Sequence, residues 1–178
     1  MSITPAARPS FLTRSAGALD DLGLACLTVV LFVAVALATG IRSPWPHVIA
    51  LALFLGALLF VRRRWPVPVL LLSVAAIFAF HLVSWSPAGW IWPAWAAYFT
   101  VAAMSRIRWL LIAGGVQLVY SAIHAWQIVD NNPARYVLHT LGEAVLLALI
   151  AVIGLAHARR MRAGVDASQG KPEPGSTK

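Results

Sequence analysis

The run Val61-Arg62-Arg63-Arg64-Trp65-Pro66-Val67-Pro68 constrains this chain most, because it sets three adjacent arginines between two long apolar stretches. Apolar stretches of that length form helices that cross a bilayer, and arginines gather at the cytoplasmic ends of such helices. The run therefore reads as a cytoplasmic turn between two spans. Composition agrees: 60% of the 178 residues are hydrophobic and 11% are charged, against about 45–50% and about 25% in soluble domains. The formal net charge of +8 falls in small clusters at the ends of apolar stretches. A nucleic-acid surface needs one continuous basic face, so that function class is excluded. Little chain remains outside the apolar stretches, so no extramembrane catalytic domain fits. Cys26 has no second cysteine with which to pair.

Taken in order, the pattern predicts a flexible cytoplasmic tail over residues 1–19, a six-span membrane domain over 20–162 and a disordered cytoplasmic tail over 163–178. Asp20 and Asp21 suit the start of the first helix, where the helix dipole favours acidic groups. Span one covers Leu22 to Ile41. Its apolar core exceeds that of a signal peptide, and an acidic pair stands where a basic region would precede one. Span two runs from Trp45 to Val61, and span three from the prolines after Trp65 to Ser84. The uncharged stretch Trp85 to Pro93 holds three tryptophans and reads as an outer hairpin at headgroup level. Span four covers Ile91 to Met104, span five Trp109 to Ile128 and span six Tyr136 to Ala156. With both termini inside, twelve of the fourteen Arg and Lys residues are cytoplasmic, and only Arg42 and Arg135 lie outside. The expected fold is an all-α bundle of six transmembrane helices in the plasma membrane. Its cytoplasmic, lipid-facing basic residues are Arg62, Arg63, Arg64, Arg106, Arg108, Arg159, Arg160 and Arg162, which attract anionic headgroups.

Charges inside a span are costly, so each one is a candidate functional group. Glu143, in span six, is the only acidic residue in the expected spans. His139 lies one turn away on the same face at i, i+4. Span five carries Gly114, Gln117, Ser121 and His124 on one face, with Tyr120 beside them. His81 closes span three. Glu143, His139, His124, His81, Gln117 and Ser121 form the candidate ligand- or proton-responsive set near the outer leaflet. The competing reading makes them interhelical hydrogen bonds that hold the bundle, with Glu143 uncharged. No closely spaced ligand motif points to a metal, no cofactor is called for, and no nucleophile–base pair or paired carboxylates point to catalysis. Small residues four apart, such as Ala52 with Gly56 and Ala144 with Ala148, allow close helix approach.

Val61 to Leu72, Ala97-Tyr98-Phe99-Thr100-Val101-Ala102-Ala103 before Arg106, and Gly154 to Arg160 together resemble the amino-terminal membrane region of actinobacterial sensor histidine kinases. The resemblance covers about residues 20 to 162. It implies a sensory or scaffolding membrane module, here without the dimerising helix and ATP-binding domain of that family, because Gly164 to Gly170 follow the last span. His157 lacks the acidic and basic neighbours of a phospho-acceptor and takes no such role. The expected function is a non-catalytic sensor-type module acting through a protein partner or self-association. The alternative is a small transporter or accessory permease subunit with a polar path at spans five and six.

Overall fold

A computed structural model of the chain describes residues 11–38, 45–83, 89–128 and 132–169, with the backbone alone at 11–18, 128 and 165–169. The described residues are helical: α1 (Phe11–Ala38), α2 (Trp45–Leu59), α3 (Pro66–Val83), a 3₁₀ turn (Trp92–Ala94) leading into α4 (Trp95–Ala103), α5 (Ile107–Ile128) and α6 (Pro133–Gln169). Arg8, Arg42, Trp85, Asp130, Asn131, Lys171 and Lys178 lie outside the described residues.

Among the described residues four helices are long and apolar enough to cross a membrane: α1 from Leu19, α3, α5 and α6 to Gly164. Their outward faces carry exposed Leu27, Leu72, Leu111, Ile112, Val145, Leu149 and Val152. So wide an apolar surface suits lipid and would drive association in water. Inside, Leu70, Ile77, Tyr98, Val101, Leu110 and Ile150 form the main core, and Phe32, Val48, Leu51, Leu55 and Phe80 join α1, α2 and α3 in a second. The Ala52 and Gly56 pair serves packing within the bundle: Ala52 is fully buried, and Gly56 faces the Val29 side chain and the Ala25 carbonyl of α1.

Four expectations need correction. The first helix begins at Phe11, so the tail expected to be flexible over 1–19 is helical from that point. Asp20 and Asp21 are consequently inside α1, where they serve as partners for arginines. At the other end α6 continues to Gln169, past the boundary expected at residue 162. Arg159 to Ala163 are good helix formers that extend an existing helix cheaply, and one Gly costs only about 1 kcal/mol.

The third correction concerns span four. Expected to cross from Ile91 to Met104, it is a nine-residue helix preceded by one 3₁₀ turn, and nine residues rise only about 14 Å. Most of α4 is buried, and α6 is its main neighbour. The two run in the same direction: Trp90 and Ile91 meet Glu143, a side chain on Gly154 would strike Ala102 and Phe99, and Ser105 accepts from Arg162. The helix ends in a Schellman motif, in which Ser105 N–H donates to Ala102 O and Arg106 N–H to Val101 O. Ser105 takes the left-handed position at φ 58°.

The fourth correction concerns the arginine run. It forms the turn between α2 and α3, with Pro66 opening α3 as expected. Arg62, however, does not face lipid. Its side chain is 12% exposed and donates from Nε and Nη2 to Asp21 Oδ1 at 3.0 and 2.8 Å and from Nη1 to Thr100 Oγ1 at 3.3 Å. Arg63 Nε reaches the same carboxylate at 3.0 Å. A planar guanidinium satisfies several acceptors at once, and Asp21 supplies the charge that lets it turn inward.

Candidate functional site

The site is built around the backbone between α3 and α4. Gly89 sits at φ +75°, a left-handed conformation that L side chains rarely adopt. It turns the chain so that the next two N–H groups point at α6. Trp90 N–H donates to Glu143 Oε1 at 2.9 Å and Ile91 N–H to Oε2 at 2.7 Å. Ile91 is the N-cap of the 3₁₀ turn that leads into α4 and Trp90 is the residue before it, so neither amide has an intrahelical partner. The two oxygens of one carboxyl group accept both. Glu143 therefore caps another helix from across the bundle. Both oxygens accept, so the contact needs no proton on the carboxyl.

The chain continues through Trp90. Its carbonyl accepts from Gln117 Nε2 at 2.9 Å, and Gln117 Oε1 accepts from the Tyr98 hydroxyl at 2.6 Å. Glu143 is 7% exposed, and Gln117 and Tyr98 are fully buried. One hydrogen-bonded node thus ties α4, α5, α6 and the loop together. Around it the aromatic rings converge: His81 stacks on Trp90 with centroids 4.1 Å apart, His124 meets the same indole edge-on at 5.7 Å, and Phe78 at 4.8 Å. Trp92 stacks on Phe32 of α1 at 5.4 Å. His81 Nδ1 lies 2.9 Å from Ile77 O. A carbonyl only accepts, so Nδ1 carries the proton; His81 Nε2 is buried without a hydrogen-bond partner.

The six expected site residues separate into three contacts. Glu143 and Gln117 hold the loop backbone. Ser121 Oγ and His139 Nε2 lie 3.3 Å apart, one turn after Gln117 in α5 and one turn before Glu143 in α6. His81 and His124 pack edge to face at 5.6 Å. Glu143 and His139 share a helix face but take separate partners. No group of three metal-ligating side chains forms among the described residues.

Sequence reasoning missed Trp90 and Tyr98. It placed Trp90 at headgroup level with the other loop tryptophans, whereas the residue is 5% exposed and its backbone carbonyl and N–H anchor the node. The missing signal was available: a lone acid in an apolar helix needs donors, and spare donors within a bilayer occur at helix starts. Pro93, marking the start of span four, pointed to the nearest such place.

Beside the node, Phe78, His81, Trp90, Tyr120, His124 and Gln127 line a cleft of about 290 Å³. That is close to the lower bound for small-molecule sites, and its mix of aromatic walls and a few polar groups is typical of them. Comparison with family models, with curated proteins and with solved structures finds no match to this chain.

Gly89 gives a direct check on the capping geometry. A Cβ there would lie 2.5 Å from Glu143 Oε1 and 2.9 Å from Trp92 Cδ1, and the φ is unfavourable for any other residue by about 1–2 kcal/mol. Gly89→Ala is expected to destabilise the detergent-purified protein by about 2 kcal/mol in SDS-induced unfolding. An unchanged unfolding curve would mean that Glu143 does not hold this loop.

Proposed function

We propose that the chain is a non-catalytic plasma-membrane module of sensor type, working through a protein partner or by self-association. It crosses six times with both termini cytoplasmic, so that the arginine clusters at 62–64, 106–108 and 159–162 share the inner face, where all but the inward-turned Arg62 meet anionic headgroups. Charge distribution supports that orientation. The fourth pass is made by α4 at half length, because that helix starts at the depth of Glu143.

The observation that carries the sensor reading is α6 itself. Its 37 residues form one helix from Pro133 to Gln169, about 55 Å long. Ten residues from its start it grips the Trp90 loop through Glu143. Its far end carries Arg159, Arg160 and Arg162 beyond the apolar stretch. An occupant of the aromatic cleft presses on Trp90 and thereby on α6, and a stiff helix passes that displacement to its cytoplasmic end. The resemblance to the membrane region of sensor histidine kinases supports the same reading.

A fluorophore at the cytoplasmic end tests it. Gly164 is exposed with open space around it, so Gly164→Cys in a Cys26→Ser background takes an environment-sensitive dye. Ile123→Trp then mimics an occupant by filling the cleft from its rim. A shifted emission spectrum in proteoliposomes is expected, and an identical spectrum with and without Ile123→Trp would sink the coupling. The transporter alternative draws on the buried Tyr98, Gln117 and Glu143 chain. The sensor reading expects solute flux no higher than in protein-free vesicles, whereas flux abolished by Glu143→Gln would replace it.

A further inference from the structure

We propose that the cytoplasmic half of the groove between α1 and α6 is a binding site for one anionic phospholipid. Its acyl chain lies along Trp95 and Phe99, and its phosphate is held at Arg162 and Arg63. This site is remote from the aromatic cleft and does not depend on the sensor reading.

The two long helices do not pack closely against each other, and α4 forms the floor between them. Two cavities meet there. One of about 600 Å³ is lined by Leu24, Leu27, Trp95, Phe99, Ile150 and Ile153. The other, of about 640 Å³, is lined by Arg62, Arg63, Thr100, His157 and Arg162. Both include Asp20, Arg62 and Phe99 in their walls, so the apolar trough opens directly into the basic one. A soluble anion would use only the basic half. A phospholipid, apolar along one part and anionic at one end, matches both.

Charge bookkeeping gives the sign. Three arginines, Arg62, Arg63 and Arg162, stand against two aspartates, Asp20 and Asp21, which leaves a surplus of one positive charge at the basic end. Asp21 takes Arg62 and Arg63, while Arg162 donates to the neutral Ser105 hydroxyl at 2.7 Å. Among the described residues no carboxylate pairs with Arg162. A phosphodiester is the ligand charge that completes the set, and it accepts the fork of a guanidinium well.

Native mass spectrometry of the full chain in detergent tests this, with phosphatidylglycerol and phosphatidylcholine of identical acyl chains as probes. The wild type is expected to retain one phosphatidylglycerol in preference to phosphatidylcholine. Arg162→Gln is expected to reduce that preference roughly fivefold, the effect of one basic residue near a headgroup. Gly23→Trp blocks the trough from α1, where a Cβ meets nothing within 4 Å, and Ile153→Trp blocks it from the exposed face of α6. Each is expected to lower retention of both lipids while leaving the melting temperature in place. Glycerol phosphate, a headgroup without a chain, is expected not to compete. Equal retention of the two lipids by the wild type, full retention in both tryptophan variants, or displacement by glycerol phosphate would each overturn the proposal.

Discussion

Glu143→Ala is expected to destabilise the protein by about 3–5 kcal/mol, the largest loss from any single side chain in the bundle. Two hydrogen bonds disappear, and the Trp90 and Ile91 N–H groups are left buried without acceptors. In a bilayer no water replaces them. Glu143→Gln keeps one acceptor oxygen for one of the two amides, so its expected loss is about half as large. Unfolding of the purified protein in mixed micelles checks the order wild type, Gln, Ala. Equal stability for Gln and Ala would show that the two amides are not held as a pair. Tryptophan fluorescence should report the same event, because Trp90 is 5% exposed and becomes accessible to a quencher once the loop is released.

At the opposite end, Asp21→Ala is expected to cost about 3 kcal/mol. Its side chain is 10% exposed and that of Arg62 12%. Removing one partner of a buried pair leaves the other charge uncompensated, which costs about 3–5 kcal/mol in full burial. The lower figure applies because both side chains keep some exposure. The double variant Asp21→Ala with Arg62→Met is expected to recover a large part of the loss, since no charge is then stranded. A double variant no more stable than Asp21→Ala would show that Arg62 contributes by packing and through its bond to Thr100, with little from the ion pair.

Much of the architecture was legible because hydrophobicity and proline act locally. The starts of α2 at Trp45 and α3 at Pro66 and the extent of α5 followed from apolar length and from prolines at helix starts. The helix ends at Phe11 and Gln169 did not, since helix growth through Ala, Arg and Met needs no apolar face. The candidate residues were found by cost: a buried charge or amide in an apolar helix attracts notice. Their partners were not found. Gln117 and Ser121 lie on one face of α5, yet Gln117 holds Trp90 O and Ser121 approaches His139. Periodicity assigns a face and leaves open which neighbour covers it.

From its residues alone this chain is determined to be an α-helical membrane-type bundle, with arginines sorted to the ends of apolar stretches and Glu143 set well inside the last of them. Those properties follow from the transfer energies of individual side chains and from the rise of a helix, which act over a few turns. Only the tertiary structure decided that Arg62 turns inward to Asp21, that α4 is short, and that Glu143 caps it across the bundle. Each of these depends on groups that are distant in sequence: 41 positions separate Arg62 from Asp21 and 53 separate Glu143 from Trp90. Hydrogen bonds and ion pairs act at about 3 Å, so their partners emerge only once the helices have been brought together.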